Sequence, residues 1–232
     1  MHLSRADRQV LDDASISSRS VHAGRDIMRE GEEADRLCFV VDGWACRFKT
    51  TRDGGRQIVT LVVPGDAANL DSLLFARLDY GVRALTETTV LSLSRQHALA
   101  LATRHPGIAR AFTWLALVEN ATLSQWALSL GRHSAQQRLA HLFCELSVRA
   151  DEHADGRSSF ELPLTQEQIA DALGLTAVHV NRTLRQLRAE GLVVMGGRSI
   201  TIPDVARLRR VGDFDPAYLH HLPEEPGSPM PA

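Results

Sequence analysis

The chain has 232 residues, of which 44% are hydrophobic and 23% are charged, and its formal net charge is −2. This length suits one large domain or two small ones, and the composition excludes wholesale disorder. No stretch reaches the roughly 18 consecutive apolar residues of a membrane helix, and the first residues lack the apolar centre of a secretory signal. Three cysteines without C-x-x-C spacing disfavour a disulfide framework or a zinc ribbon, so we expect a cytoplasmic protein without a membrane partner.

The N-terminal part, residues 1–105, predicts a short helix followed by an all-β domain. Ser4 is suited to cap a helix over residues 4–14. Asp42-Gly43 predicts a hairpin turn, and Asp53-Gly54-Gly55 predicts a second turn. Short strands with turn signals every 8–12 residues indicate an antiparallel sandwich or barrel. The period of two is clearest in two triplets of alternating residues: Leu37, Phe39 and Val41, then Trp44, Cys46 and Phe48.

From Pro106 the period becomes helical, which predicts one helix of about 25 residues over 106–131. It carries two apolar stripes, and two stripes need two surfaces to bury them. One surface can be the β domain, and the other can be a second copy of the same helix. A helix buried on both sides within one chain is the alternative. The dimerisation hypothesis places one stripe at the interface: Ile108, Phe112, Leu115, Thr122 and Trp126.

Residues 132–211 predict a second domain built on paired helices. Ser134 can cap a helix that runs to about 149, and residues 150–159 are expected to be a loop. Thr165 caps the next helix with Gln168 at the capping-box distance. Gly174 permits a sharp turn, and Thr176 caps a further helix with a basic outer face. The strands LVVM and SITI, joined by Gly196-Gly197-Arg198, predict a two-stranded wing after this helix-turn-helix.

The near-neutral net charge hides a strong asymmetry along the chain. Residues 164–211 contain seven arginines against four acids, a balance of +3. Residues 212–232 contain no lysine or arginine and four acids, a balance of −4, with five of the nine prolines. A basic block favours a nucleic-acid partner, and the acidic, proline-rich tail is expected to be mobile.

Residues 20–211 together resemble the Crp–Fnr superfamily of bacterial transcription regulators. The segment REGEEADRLCFVVDGWACRF is similar to the glycine-punctuated β-roll of that family, and LTQEQIADALGLTAVHVNRTLRQL is similar to its winged helix-turn-helix. The resemblance implies an α+β fold, with an antiparallel β-roll like the cyclic-nucleotide-binding domain, a long dimerisation helix and a C-terminal winged helix-turn-helix. It also implies a homodimer on a two-fold symmetric DNA operator, with RNA polymerase as a further partner, and no enzymatic activity.

The same resemblance assigns roles in the recognition helix, about residues 177–190. Arg182 matches the arginine that reads guanine in the family, and Asn181 can reach an adenine edge. Val178 stands where many members have a base-reading glutamate, so it can instead contact a thymine methyl group. The candidates for phosphate contacts, which set register without reading sequence, are Thr165, Gln166, Thr176, His179, Arg185, Arg198 and Ser199.

The effector region departs from the cyclic-nucleotide-binding members of the family. Asn69-Leu70 stands where those members have a glycine–glutamate pair, and Leu78-Asp79 or Tyr80-Gly81 stands near their phosphate-binding arginine. A cyclic nucleotide needs an acceptor for its ribose hydroxyl and a cation for its phosphate. Arg77 or Arg83 could hold an anion, although solvent-facing arginines are commoner. We therefore expect no binding of cyclic AMP.

The cysteines and histidines do not select another cofactor. Iron–sulfur members use a cluster of N-terminal cysteines, whereas this chain has none before Cys38. Cys38 and Cys46 lie in strand patterns and are expected to be buried small hydrophobes, and Cys144 lies in a helix. We predict no metal and no cofactor, and the effector remains unknown.

Two other functions compete with a DNA-binding regulator. One is a β-roll that senses a ligand or binds a protein, with a degenerate helix-turn-helix; operator DNA against random DNA in a gel shift separates the two. The other is a β-barrel enzyme of the cupin kind. That enzyme needs a cluster of histidine and glutamate ligands on strands, yet His22 is the only histidine between residues 3 and 96.

Overall fold

The computed structural model describes residues 3–12, 14, 16–150, 153–154 and 156–220. The N-terminal region begins with helix α1 (Arg5–Asp12). Seven strands follow, with a short 3-10 helix, Leu70–Leu73, between the fifth and the sixth. The strands are β1 (Ser17–Val21), β2 (Asp26–Met28), β3 (Arg36–Asp42), β4 (Ala45–Thr50), β5 (Arg56–Val62), β6 (Gly81–Ala84) and β7 (Thr88–Ser94).

The strands form two antiparallel sheets, which confirms the predicted β-roll. One sheet has the order β1-β7-β3, and the other has the order β2-β6-β4-β5. Fully buried valines from both sheets, among them Val40, Val62, Val82 and Val90, form one hydrophobic cluster. Burial of apolar side chains from two facing sheets is the main stabilisation of such a structure.

The Asp42-Gly43 turn differs from its prediction, because it does not close a hairpin. Strand β3 pairs with β7, and β4 pairs with β5 and β6, so the chain changes sheets at Gly43. Gly43 has a φ of 77°, and a Cβ there would lie 2.0 Å from the carbonyl oxygen of Glu87. Only glycine fits this close crossing. The second predicted turn is a true hairpin, since β4 and β5 pair across Gly54.

Two helices connect the β-roll to the rest of the chain. Helix α2 (Arg95–Arg104), which the periodicity did not predict, begins after Ser94, whose side chain accepts a hydrogen bond from the backbone N–H of His97. Helix α3 (Pro106–Arg132) follows at once and has 27 residues, which corresponds to about 40 Å. Proline is suited to the first turn of a helix because its missing N–H would be unpaired there.

The predicted interface stripe of α3 is wrong for two of its five residues. Ile108 is fully buried among β-roll and α2 residues, and Trp126 is 8% exposed within the core of the C-terminal region. Phe112 and Leu115 are half-buried against the same cluster as Ile108, and Thr122 is half-buried too. Both apolar stripes of α3 suit an interface equally well by sequence. In the structure, the stripe that contains Ile108 and Trp126 is covered by residues of the same chain. The exposed stripe of α3 contains Ala116, Leu117, Asn120, Leu123, Ser124, Ala127 and Leu128.

The C-terminal region contains four helices, four strands and a final 3-10 helix, Pro216–Leu219, among the described residues. Its sheet has the order β10-β11-β9-β8. The wing therefore has more than the two predicted strands. The extra strands include residues from 150–159, which were predicted to be a loop. The elements are α4 (Ala135–Arg149), β8 (His153–Ala154), β9 (Arg157–Glu161), α5 (Gln166–Leu173), α6 (Ala177–Ala189), β10 (Val194–Gly196), β11 (Ser199–Ile202) and α7 (Val205–Val211).

The expectation of a mobile tail is wrong for residues 212–220. Phe214 and Leu219 are buried, and Tyr218 packs against the core of the C-terminal region. The composition of the tail concealed these three apolar anchors among prolines and acids. Residues 221–232, the rest of the predicted tail, lie outside the described residues. Within the described part of the chain, no helix is both long enough and apolar enough to span a bilayer.

Candidate nucleic-acid interface

The helix pair α5–α6 is defined by the capping residues that the sequence indicated. Thr165 Oγ1 accepts from the backbone N–H of Gln168 at 3.1 Å, and Gln168 Oε1 accepts from the backbone N–H of Thr165 at 2.8 Å. Gly174, with a φ of 60°, ends α5 in the left-handed region. Thr176 Oγ1 then accepts from the N–H of His179 at 3.2 Å and starts α6. These caps satisfy backbone donors that a helix start leaves unpaired.

The inner face of α6 holds it against α4 and α5. Val180 and Leu187 are fully buried, and Leu184 is 8% exposed. Ile169 and Leu173 of α5 belong to the same hydrophobic cluster. Because residues three and four apart share a helix face, burial of this stripe turns the residues between them outward.

The three predicted base-contact residues lie together on the outer side of α6. Val178 is 81% exposed, Arg182 is exposed and Asn181 is half-buried. Asn181 Nδ2 donates to Gln166 Oε1 at 3.1 Å, which ties the first residue of α5 to the recognition face. Across the described residues, no acceptor pairs with the guanidinium of Arg182 or of Arg185. This face therefore offers apolar surface, an amide and unpaired cations side by side.

The predicted phosphate-contact residues occupy both helix starts and the wing. The Thr165 and Thr176 hydroxyls accept backbone N–H groups, so each still has its own O–H to donate. Arg198 is exposed at the tip of the β10–β11 wing, and Ser199 Oγ donates to the Gly196 carbonyl at 2.8 Å. His179 is half-buried beside the start of α6.

The helix-turn-helix also contacts the β-roll, which the sequence analysis missed. Arg56 of β5 forms an ion pair with Asp171 of α5 at 2.6 Å. Gln57 Nε2 donates to the Ala172 carbonyl at 3.1 Å. These residues are more than a hundred positions apart, so no local pattern could indicate the contact.

Three residues at or near the positions that bind cyclic nucleotides in other family members, Asn69, Arg77 and Arg83, form hydrogen bonds or ion pairs within the β-roll. Asn69 is buried, donates to the Arg36 carbonyl and accepts from the Cys38 N–H, both at 2.8 Å. Arg77 donates to the Gly31 carbonyl at 2.8 Å. Arg83 forms an ion pair with Asp26 at 2.7 Å, so of the two candidate arginines this one has its charge neutralised by a carboxylate of the same domain.

Arg47, which the sequence analysis did not single out, fills the interior of the β-roll. Its side chain is 6% exposed and donates to the carbonyls of Ala68 at 2.7 Å and Ala67 at 3.0 Å. It also forms an ion pair with Glu119 of α3 and lies 5.1 Å from the ring centroid of Tyr80. Arg47 lies in β4, which pairs with β5 and β6 and is buried on both faces at its first three residues, Ala45, Cys46 and Arg47.

A cavity of about 270 Å³ lies between the β-roll, α3 and the C-terminal residues. Its charged wall groups are already paired, Arg47 with Glu119 and Arg149 with Asp66. A ligand phosphate there would have to displace a carboxylate from a buried arginine.

The three cysteines are buried and reduced. Burial raises the pKa of the Cys46 and Cys144 thiols to about 12 and also raises the pKa of the Cys38 thiol. The prediction that Cys38 and Cys46 act as buried small hydrophobes is confirmed. In the described part of the chain, no group of three or more histidine, cysteine, aspartate or glutamate side chains could hold a metal ion.

Comparison with known proteins identifies the family. Residues 18–105 match the profile of the cyclic nucleotide-binding domain, and residues 137–211 match that of the Crp-like helix-turn-helix domain. The transcriptional activator protein FnrL of Cereibacter sphaeroides is 30% identical over 195 residues, which are 82% of this chain and 78% of that protein. The chain belongs to the Crp–Fnr superfamily.

Two further Crp–Fnr relatives agree with this assignment. The nitrogen fixation regulation protein FixK of Azorhizobium caulinodans is 29% identical over 201 residues, covering 85% of this chain and 80% of that protein. The solved structure of FixK2 from Bradyrhizobium japonicum has a TM-score of 0.76 and 27% identity, and covers 84% of this chain and 96% of that chain. This Crp–Fnr protein is a DNA-binding transcription regulator, and its exposed α6 lies within the matched helix-turn-helix domain.

Proposed function

We propose that this regulator is a homodimer that reads a two-fold symmetric operator with one α6 helix in the major groove of each half-site. The observation that carries the proposal is the outer face of α6, where Val178, Asn181 and Arg182 lie together without a partner helix to cover them. A helix presented in this way fits the major groove, and its first turns reach the base edges. The two half-sites are then about 34 Å apart, one turn of the duplex.

Each residue of this face has a distinct role in the proposal. Arg182 donates two hydrogen bonds to O6 and N7 of a guanine. Val178 contacts a thymine methyl group, since its exposed side chain has no polar atom to read a base edge. Asn181 contacts an adenine edge, with Gln166 holding its amide in place through their mutual hydrogen bond.

The surrounding residues contact phosphates and set the register of α6. Thr165, Gln166 and Thr176 stand at the starts of α5 and α6, where helix N-termini favour anions. The other candidates flank them on α6 and on the wing: His179, Arg185, Arg198 and Ser199.

The exposed stripe of α3 is the dimer interface in this proposal. Leu117, Leu123 and Leu128 are 63%, 37% and 49% exposed, and small residues lie between them. A second copy of the stripe would bury these side chains, and a two-fold axis places identical patches opposite each other. This choice replaces Ile108 and Trp126, which are buried within their own chain.

Dimerisation is tested by the Leu123→Glu variant, with Leu74→Glu as a matched control at an exposed leucine of the β-roll. Sedimentation equilibrium is expected to give a dimer for the wild type and for Leu74→Glu, and a monomer for Leu123→Glu. A wild-type monomer at every concentration would contradict the dimer.

DNA recognition is tested by selecting duplexes from a random pool with the purified full-length protein. A palindromic consensus with half-site centres 10 or 11 base pairs apart is expected. If the selected duplex binds no better than a scrambled one in a gel shift, the helix-turn-helix is degenerate. The β-roll would then be a ligand-sensing or protein-interaction module, which is the second candidate.

The proposed regulator does not bind cyclic AMP and carries no iron–sulfur cluster or other cofactor. The pairing of Arg47 with Glu119 and the structural hydrogen bonds of Asn69 support this, because the cation inside the β-roll is already neutralised and the Asn69 amide is already engaged. Calorimetry with cyclic AMP is expected to give no binding heat at micromolar concentrations. A low-micromolar dissociation constant would contradict it.

We also propose that the protein acts in the cytoplasm as a regulator rather than an enzyme, with double-stranded DNA and RNA polymerase as its partners. The names of FnrL and other relatives as transcriptional activators support activation. Transcription in vitro from a promoter that carries the selected operator is expected to rise when the protein is added. A fall instead would indicate repression.

A further inference from the structure

The last described residues, 212–220, form a segment that we name the C-terminal clasp. It lies beyond the residues matched by either domain profile, 18–105 and 137–211. A Cβ at Gly212 would lie 2.7 Å from the backbone nitrogen of His141, so the clasp begins with its backbone pressed against α4. Phe214 and Leu219 are buried, at 8% and 4% exposed. These contacts make the segment part of the folded core.

The clasp and the long helix share one buried carboxylate on α4. Glu145 is fully buried, and its Oε2 accepts from Trp126 Nε1 of α3 and from Tyr218 Oη of the clasp, both at 2.8 Å. Burial, together with the neighbouring Glu145, raises the pKa of the Tyr218 hydroxyl, so that it keeps its proton and remains a donor. Hydrogen bonds to a buried charged group are stronger than neutral ones. Three segments of the chain therefore meet at Glu145.

A second set of contacts surrounds His141, also on α4. Its ring stacks on the Tyr218 ring at 5.9 Å and meets the Phe214 ring edge-on at 5.0 Å. Its Nδ1 is 3.1 Å from the Gly212 carbonyl oxygen, and its Nε2 is 3.2 Å from Tyr218 Oη. Three clasp residues, Gly212, Phe214 and Tyr218, thus contact His141, and Tyr218 also contacts Glu145.

The clasp also reaches α3 and the junction between α3 and α4. Its 3-10 helix packs against α3, and Leu219 lines the cavity beside Trp114 and Val118. Asp213 Oδ2 lies 3.6 Å from His133 Nε2. His133 and Ser134 are the two residues that connect α3 to α4. A two-residue connection has few backbone torsions, and rotation about them would swing α4, α5 and α6 relative to α3. Contacts on both sides of this connection oppose that rotation.

We propose that the C-terminal clasp fixes the DNA-binding region relative to the long helix, with Tyr218 as a positioning residue for DNA recognition. The inference rests on the proposed dimer. When two α3 helices pair, the angle between α3 and α4 determines the separation and the relative rotation of the two α6 helices. The clasp therefore controls how strictly the protein demands one half-site spacing. It does not change which bases each half-site contains.

The test compares two truncations of the full-length chain on two duplexes. One truncation ends at Val211 and lacks the clasp, and the matched control ends at His220 and keeps it. The first duplex is the palindrome selected with the wild type. The second has one base pair inserted between the half-sites, which separates them by about 3.4 Å more and rotates one by about 35°.

The wild type and the His220 truncation are expected to bind the inserted duplex at least tenfold more weakly than the palindrome. In the Val211 truncation this spacing penalty is expected to fall at least threefold, with its preference over scrambled half-sites retained. Tyr218→Phe, which loses only the hydroxyl, is expected to change the penalty in the same direction by about twofold. This variant decides the outcome if the Val211 truncation does not fold. An unchanged spacing penalty in the folded variants would overturn the proposal.

A second measurement separates this proposal from the proposed function. Amide hydrogen exchange of residues 129–137 in the free protein is expected to be at least threefold faster in Tyr218→Phe than in the wild type. If the wild type shows no sequence-specific binding, the DNA-reading proposal fails, and the exchange rates alone decide whether the clasp restrains the junction. Equal exchange rates in both proteins would then refute the proposal that the clasp restrains the junction between α3 and α4.

Discussion

Arginine has opposite roles in the β-roll and in the recognition helix. Arg47 is buried, and its guanidinium is shared among two backbone carbonyls and Glu119 of α3. Arg182 is exposed, and no acceptor among the described residues pairs with it. A guanidinium that is buried and paired within its own chain stabilises the fold, whereas an exposed guanidinium without a partner is available to a ligand.

This difference indicates where the molecule can bind an anion. The β-roll belongs to a family of effector domains, but its interior cation is already neutralised by its own chain. The recognition face has its cations free and points to solvent. Anionic DNA is therefore the ligand for which the structure leaves donors available.

The largest expected effect is loss of stability in Arg47→Met. The change leaves Glu119 and two buried carbonyls without their donor, so we expect the free energy of unfolding to fall by about 3 kcal/mol. Urea denaturation measures it. The control Arg182→Met is expected to stay within about 0.5 kcal/mol of the wild type, because its side chain is exposed. If both variants lose equal stability, the two arginines do not differ as described.

The next effect concerns DNA affinity in Arg182→Ala. Losing a bidentate guanine contact is expected to weaken operator binding by about 1–3 kcal/mol and to relax base preference at one position of each half-site. Binding to a panel of single-base operator variants measures this. Uniform weakening on every sequence would instead make Arg182 a phosphate contact. The free energy of unfolding of Arg182→Ala is expected to equal that of the wild type.

A smaller effect is expected from Val178→Glu, which places an acceptor on the same exposed face. A carboxylate can accept from the amino group of cytosine, so selection is expected to favour a C·G pair at the position that Val178 contacts. The preference is expected to change by about 1 kcal/mol or more. Val178→Thr, which keeps a methyl group, is the control and is expected to retain the wild-type base. An identical consensus for all three proteins would remove Val178 from the interface.

The smallest effect is a pH dependence that arises from a buried base, His141. Burial lowers the pKa of this imidazole, opposed by its hydrogen bond to the Gly212 carbonyl and by Glu145. The unfolded state therefore binds the proton more readily, and stability falls as the pH is lowered below about 6.5. His141→Gln is expected to flatten the stability profile between pH 5 and 7, measured by urea denaturation. His179→Gln is the control, and equal slopes in both variants would refute the assignment.

The capping residues and inner faces of α5 and α6 could be predicted from the sequence, because they depend on neighbours three or four positions away. Thr165, Gln168, Gly174 and Thr176 all have the predicted local roles. The alternation in β4 was recognised too, but Arg47 was not. Its partners lie 20 and 21 residues away in the β-roll and on helix α3, so no short sequence window contains them.

The sequence by itself determined the succession of an antiparallel β domain, a long helix and a capped helix pair with a basic outer face, since these follow from local periodicity, caps and turns. Only the tertiary structure decided which stripe of α3 faces solvent, that Gly43 switches sheets and that residues 212–220 fold back onto α4. An apolar residue specifies that it will be buried but not against which surface. That choice depends on the shapes and charges of segments that meet only when the whole chain has folded.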